Sequence, residues 1–494
     1  MFEEKLEELR PIFYPESVAV VGASSKNPKV GSGWVRALLS ASPTWPVYPV
    51  GAGGGRTSGL DIARNLRLVQ GAVDYVIVAI PRHSVLDFLD DCAAKRIKAV
   101  QFFTAGFSEM NGEEGHELEK KMLEKAREGK FRIIGPNCIG VYCPEHRMAS
   151  PMGTLGEPGS VGFLSQSGGI AGKLIEIGVS RHIKFSKGVS FGNGIDLDAS
   201  DFLEYLAADP KTSVIGAYLE GTRDGRRLFE TMRAVAGVKP LVVWKGGRTQ
   251  AGARAAASHT GSLASPAATW SGMLRQVGAV EVPSLEELSD ALLFFQQLRP
   301  WRGGRAAVVG GLADGGGGIS VSGGDACVQN GLELPPLSSH TRQALVDLIG
   351  EAGSILCNPV DVSQAQFRGL ATTFEAIDLV ARDSVVDVVL IQEDVDILIT
   401  AYSWEQMEEI NRFFVDLGSR HGKQAVVVLP PGSAEPERLK VAEQLLTGSV
   451  PVFPTMERAA RAVARAAAFF DRQRGRNADE RRGPATGERT GRSE

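Results

Sequence analysis

Long apolar runs are missing from this chain. No stretch of about 18 apolar residues occurs, so nothing in the sequence reads as a membrane span. An excess of positive charge is missing too. Lysine and arginine total 54 against 58 acidic residues, a formal charge of −4, which argues against a protein that coats nucleic-acid phosphates. Cysteine is scarce, with five residues at 92, 138, 143, 327 and 357, odd in number and irregular in spacing. A chain of 494 residues buries most of its surface without disulfide or metal staples, so a reduced, cytoplasmic setting is expected. Cys143-Pro-Glu-His146 has a ligand-like spacing but no second pair, and it reads as a loop rather than a metal site. The acidic start, MFEEKLEELR, lacks the apolar core of a secretory signal.

Glycine, by contrast, is plentiful at 58 residues, clustered at 51–55, 303–318 and 323–324. These clusters follow short β-branched runs, the pattern of tight strand-to-helix turns. Strands are predicted at 17–22, 47–50, 73–80, 98–104 and 131–134, with helices between them at 84–96 and 113–128. A second set of strands is predicted at 159–164, 184–190, 214–219 and 241–245, and a third at 305–310, 385–391 and 424–429. Strands alternating with helices argue for parallel, doubly wound sheets. The organisation expected is a Rossmann-type domain at 1–147, a second domain at 148–299 and a third at 300–470. The tail 471–494 has seven arginines, five acidic residues and no Val, Ile, Leu or Phe, so it is expected to be disordered.

Three places carry chemistry. The first is VVGASSKNPKVGSG at 20–33, a strand running into a small-residue loop whose amides suit a phosphate. It is not GxGxxG, and no acidic residue ends the second strand to meet a ribose, which counts against a dehydrogenase. Ala79-Ile80-Pro81, Thr104-Ala105-Gly106-Phe107 and Gly135-Pro136-Asn137-Cys138 end later strands, and ligands of open α/β sheets sit at such ends. The second place is Ser165-Gln166-Ser167-Gly168-Gly169, which opens a helix and offers an anion site; an N-capped glycine turn is the alternative. The third is Ser258-His259-Thr260-Gly261-Ser262, where an Ala-rich helix at 251–257 breaks into small polar residues. A neutral imidazole can act as a nucleophile toward phosphorus, with a carboxylate orienting its other nitrogen. Glu220, ending the strand at 214–219, is the candidate carboxylate, and an exposed loop glutamate is its bland alternative. The histidines at 83, 116, 146, 182, 340 and 421 have no such setting and read as surface or packing residues.

In these residues the chain resembles the NDP-forming acyl-CoA synthetase family, which includes ADP-forming acetate–CoA ligase and the α-subunit of succinyl-CoA synthetase. The likeness runs over roughly 10–470 through VVGASS (20–25), TAGF (104–107), GPNCIG (135–140), SQSGG (165–169), GNGIDLDASDFLEYLAADPKT (192–212), LEG (219–221), SHTGSLAS (258–265) and NPVD (358–361). The resemblance implies an α/β fold of three consecutive doubly wound domains: a Rossmann-type CoA-binding domain, then two flavodoxin-like CoA-ligase domains. It implies that Gly22, Ala23, Ser24, Ser25, Lys26, Ala79, Ile80, Pro81, Thr104, Ala105, Gly106, Phe107, Asn137 and Cys138 line a coenzyme A site. It makes His259 the phosphorylated residue, Glu220 its hydrogen-bond partner, and Ser165, Ser167, Gly168 and Gly169 the cradle of the phosphohistidine.

The implied reaction joins a small carboxylic acid to CoA, reversibly, through an acyl phosphate. ATP or ADP with Mg2+ would sit on a separate ATP-grasp β-subunit, making a hetero-oligomer with no role for nucleic acid or membrane. One departure stands out: where the family has Asn-Pro-Lys after the second strand, this chain has Gly51-Ala52-Gly53-Gly54-Gly55-Arg56, with Arg56 the available cation. That departure favours the alternative of a non-catalytic CoA-binding regulatory or scaffolding protein. The intact loop around His259 and Glu220 favours the enzyme.

Overall fold

The computed structural model describes residues 2–26, 30–110, 113–151, 153–260, 266–299, 303–310, 312, 317–351 and 355–482, with side chains described except at 256–260 and 476–482. The chain divides into two compact units, Met1–Gln297 and Leu298–Glu494.

The first unit holds two large sheets and a small two-stranded hairpin, Arg56–Thr57 with Leu60–Asp61. In the first, the parallel strands lie in the order Val47–Val50, Val18–Val21, Tyr75–Val78, Ala99–Phe102, Arg132–Ile134. Three of these strands are buried at every residue, which is why they read as unbroken Val/Ile-rich runs rather than alternating patterns. In the second sheet the order is Val280–Val282, Leu241–Lys245, Val214–Leu219, Pro158–Ser165, Phe185–Ser190, with Gly140–Tyr142 added antiparallel at the edge. The second unit repeats the plan. Val360–Asp361, Ala306–Gly310, Val388–Gln392, Gln424–Val428 and Val452–Phe453 run parallel, and Ile355–Leu356 lies antiparallel at the edge. Numbered by appearance, the parallel strands of the three large sheets follow the order 2-1-3-4-5 of doubly wound folds.

Several details differ from expectation. Strand Gly140–Tyr142 belongs to the second sheet, so a division at residue 147 falls after the chain has already crossed over. The helix Glu3–Phe13 packs on the helix Ala199–Ala208 beside the second sheet, with Phe13 stacked on Tyr205 at 4.4 Å and Lys5 paired to Asp201 at 3.0 Å. The helix predicted at 251–257 extends from Gln250 to Thr260, so the backbone of His259 lies in its last turn. The tail expected to be disordered from 471 instead continues the helix Met456–Arg482, where its five arginines, Gln473, Ala478 and Glu480 are good helix formers; residues 483–494 lie outside the described residues.

The GNGIDLDASD motif binds the two sheets of the first unit together. Asn193 Nδ2 donates to Glu109 Oε2 at 2.7 Å and to Glu119 Oε1 at 2.9 Å, while its backbone N–H donates to Pro136 O at 3.0 Å. Glu119 is almost fully buried and also accepts from Ser108 Oγ (2.6 Å) and Arg223 Nη2 (3.0 Å). Asp196 takes a two-pronged contact from Arg132, both prongs 2.9 Å long. These bonds fix the loops after the fourth and fifth strands of the first sheet.

Candidate functional site

The strand-end loops of the first sheet face the start of the helix Gly168–Ser180, and a cleft of about 480 Å³ lies between them. It is lined by Val30, Ala79, Ile80, Phe103, Thr104, Ala105, Asn137, Cys138 and Ile139 from one side and by Gln166, Ser167, Gly168 and Gly169 from the other. The close approach is possible because residue 168 has no side chain. A Cβ there would stand 3.0 Å from Ile139 Cγ2.

Of the residues expected to line a CoA site, Ala79, Ile80, Thr104, Ala105, Asn137 and Cys138 are in this cleft. Thr104 Oγ1 donates to Ile80 O at 2.7 Å, tying two of the loops together. The loop Gly22–Lys26 is not itself in the lining but braces it. Gly22 has φ +103° and presses on Ala79, whose carbonyl oxygen would be 2.2 Å from any added Cβ. Ser24 exchanges hydrogen bonds with Ser32, its N–H donating to Ser32 Oγ (3.0 Å) and its carbonyl accepting from it (2.9 Å). Lys26 is exposed, and its N–H donates to Ser24 Oγ at 3.2 Å. Pro81 is exposed at the start of a short 3-10 turn, and Gly106 O accepts from Arg82 Nη1 at 2.8 Å.

Phe107 departs from its expected place: it is fully buried in the core of the first domain, outside the cleft. Burial pushes the Cys138 thiol up to about 12, so it lines the cleft as a small neutral group and not as a nucleophile. Of the glycines at 51–55, Gly51 and Gly55 have a packing reason. A Cβ on Gly51 would meet Ala23 O at 2.0 Å, and one on Gly55 would meet Ser25 Oγ at 2.7 Å. Arg56 is occupied within its own hairpin by Asp61 (3.1 Å) and Gly59 O (2.8 Å), whereas Arg64 Nε lies 3.6 Å from the Cβ position of Gly54.

At the other wall, Ser167 caps its helix by accepting from Ile170 N–H at 3.4 Å. The N–H groups of Gly168 and Gly169 have no hydrogen-bond partner among the described residues, so two free donors and the positive end of the helix dipole meet at one point. Ser165 does not reach that point. It is buried, and its Oγ donates to Ser167 O (2.7 Å) and accepts from Ser167 N–H (3.2 Å), which shapes the turn from within.

Glu220 is buried rather than exposed, and Tyr218 Oη donates to its Oε1 at 3.0 Å. Burial, and then the neighbouring Glu220 carboxylate, push the Tyr218 hydroxyl well above its ordinary range. Lys245, paired in register with Leu219, is buried with its ammonium 5.3 Å from the Trp270 ring, and burial lowers its pKa. Five residues after Lys245 the chain enters the helix Gln250–Thr260, which packs against the Ser108–Met110 turn of the first domain. His259 is on that helix; its side chain, and residues 261–265, lie outside what is described.

Gln166 was not singled out by sequence reasoning, although it stands inside the SQSGG motif. Its Oε1 accepts the N–H groups of Glu220 and, at 3.0 Å, Gly221, linking the helix start to the backbone that carries the buried carboxylate. Phe103, Ile139 and Val30 also line the cleft unforeseen, since only their neighbours carry polar signals. Among the described residues no group of three or more His, Cys, Asp or Glu side chains could hold a metal ion, and no helix is long and apolar enough to cross a membrane.

Residues 16–144 match the model of a CoA binding domain, and residues 158–295 match that of a succinyl-CoA ligase like flavodoxin domain. The α-subunit of ADP-forming acetate–CoA ligase II from Pyrococcus furiosus is 34% identical over 378 residues, covering 76% of this chain and 80% of that one. ADP-forming acetate–CoA ligase I from Archaeoglobus fulgidus is 36% identical over 384 residues, covering 77% of this chain and 54% of the relative. The chain therefore spans about half the length of that protein. Among solved structures, the acetyl-coenzyme A synthetase 1 of Candidatus Korarchaeum cryptofilum, in complex with phosphate and ADP, superposes with a TM-score of 0.83 at 29% identity, over 96% of this chain and 98% of that one.

Proposed function

From the premise that the chain belongs to the NDP-forming acyl-CoA synthetase family, that of the ADP-forming acetate–CoA ligases, we propose that it is the α-type subunit of such an enzyme. It forms acyl-CoA, reversibly, from a carboxylic acid, CoA and ATP. A separate ATP-grasp β-subunit supplies the nucleotide site, with its Mg2+, and the working enzyme is a hetero-oligomer in the cytoplasm.

On this reading the phosphoryl group rests on His259. The acid's carboxylate oxygen attacks the phosphorus, the P–N bond breaks, and an acyl phosphate forms. The CoA sulfur then attacks the acyl carbon. The C–O bond breaks, and inorganic phosphate leaves with the thiol proton. The free amides of Gly168 and Gly169 are donors for the phosphoryl oxygens throughout. Glu220, fixed by Tyr218, receives the imidazole N–H and holds the ring. Ala79, Ile80, Thr104, Ala105, Asn137 and Cys138, braced by Gly22 to Lys26, receive the CoA.

The observation that carries this reading is the meeting of first-domain loops with an unsatisfied helix start in one cleft. It brings a thiol donor and a phosphoryl acceptor site within reach of one another. The experiment is phosphoryl transfer. With the ATP-grasp partner and labelled ATP, the chain should acquire an acid-labile, base-stable label that His259→Ala abolishes, and the chain alone should make no acyl-CoA from ATP, acid and CoA. A label that survives His259→Ala, or a chain that binds CoA but is never labelled, returns the balance to a CoA-binding regulatory protein.

A further inference from the structure

Gln166 lines the cleft and is bonded to the backbone of Glu220 and Gly221. Its Oε1 is held by two backbone donors, Glu220 N–H and Gly221 N–H, the second at 3.0 Å. Two donors on one carbonyl oxygen fix the plane of the side-chain amide, so the direction of its NH2 group is set by the backbone. That NH2 has no hydrogen-bond partner among the described residues, and Gln166 is half-buried in the wall of the cleft beside Ser167, Gly168 and Gly169. A preoriented neutral donor pair of this kind, next to free helix-start amides, suits an oxygen that gains negative charge during reaction.

We propose that Gln166 is a catalytic and acid-binding residue, donating from Nε2 to the carboxylate oxygen of the acid and to the carbonyl oxygen of its acyl phosphate. The proposal rests on the acyl-phosphate reading above. Gly168 and Gly169 hold the phosphoryl end, and Gln166 holds the acyl end. When the CoA sulfur bonds to the acyl carbon, the C=O electron pair moves onto the oxygen, and Nε2–H stabilises that oxyanion. As the pair returns, the bond to the phosphate oxygen breaks and phosphate departs with the thiol proton. Among the common side chains of this length only an amide can accept from the Glu220 and Gly221 backbone and donate to the ligand at once. Glutamate loses the donor and lysine loses the acceptor.

The test uses the full chain with CoA and acetyl phosphate, following thioester formation, a half-reaction that needs no nucleotide. Gln166→Glu keeps an oxygen for the two backbone amides and replaces the NH2 with an acceptor. It should lower kcat/KM for acetyl phosphate about 100-fold, the scale of losing one oxyanion donor. CoA affinity by calorimetry should change less than about twofold. Lowering the pH from about 8 to about 5.5 should recover part of the loss, because a protonated carboxyl donates again. Gln166→Leu, which removes both functions, should show the loss without the recovery. Unchanged kcat/KM in Gln166→Glu, or a loss that is flat with pH and accompanied by lost CoA binding, overturns the proposal. A wild-type chain that binds CoA yet forms no acetyl-CoA from acetyl phosphate overturns the acyl-phosphate reading itself, and with it the proposal.

Discussion

The hydroxyl of Tyr218 donates to Oε1 of Glu220 across 3.0 Å, two residues along the same strand end. That bond holds the buried carboxyl in one orientation. Tyr218→Phe removes the donor and keeps the ring against Trp244, 4.6 Å away. A hydrogen bond to a charged group contributes about 1.5–3 kcal/mol, so the rate of labelling at His259 should fall at least about tenfold in rapid-quench measurements. CoA affinity should not change.

Gly22 combines a left-handed φ of +103° with a contact that leaves no room for a methyl group. Gly22→Ala should cost about 2–4 kcal/mol through strain and overpacking against Ala79. Urea unfolding of the purified variant measures it, and CoA binding should weaken with it because the same contact braces the cleft.

Asn193 is the neutral bridge between Glu109 and Glu119. Asn193→Asp puts a third carboxylate beside the two. The variant should melt several degrees lower than the wild type at pH 8, and the gap should narrow at lower pH as the carboxyl introduced at 193 takes a proton. Calorimetric scans across that range separate this from a simple loss of packing.

The second unit should be acid-sensitive. Burial disfavours charge on Asp378 and Asp387, but hydrogen bonds from His421 and Arg382 to the first, and from Arg305 to the second, outweigh it. Both carboxyls are therefore held below the usual carboxylate range. A depressed folded-state pKa stabilises above the unfolded value of about 3.9, and that stability is lost as the pH falls through the folded value. Arg305→Met removes both side-chain contacts to Asp387, 2.8 and 2.9 Å long, while the backbone contact stays, and should move the acid-unfolding midpoint to higher pH. Circular dichroism between about pH 6 and about pH 2 reads it.

Arg64 lies against Gly54, in the loop where the resembled family carries a lysine, whereas Arg56 is held within its own hairpin by Asp61 and Gly59 O. Arg64→Ala should weaken CoA binding about tenfold, with an effect that shrinks in high salt, while Arg56→Ala should change it less than twofold. Titration calorimetry of CoA at two ionic strengths decides between them.

Much of this architecture could be read from the chain because both faces of each sheet are covered. Buried parallel strands such as Val18–Val21 and Val214–Leu219 are near-continuous apolar runs, and they stand out. Val452–Phe453 and Val360–Asp361 are too short to leave a pattern, and Gly140–Tyr142 carries no sign of which sheet it will join. The cleft was legible in its small polar loops. Phe107 and Ser165 were misplaced because adjacency in a motif does not say which side chain turns inward: one fills the core and the other ties its own turn. Gln166 escaped notice for the converse reason, since its role depends on the backbone of Glu220, 54 residues further on.

The strand Gly140–Tyr142 and the helix Glu3–Phe13 both come from the N-terminal third of the chain, yet both are fastened to the layer that follows it. No scissors placed at a single peptide bond can release either half of the first unit intact. Cut after the fifth strand, the leading fragment would carry an orphan helix with its aromatic underside wet, and the trailing one would lack the cover over Tyr205. Chimeras that swap acid preference between relatives should therefore exchange everything up to Gln297 as one piece.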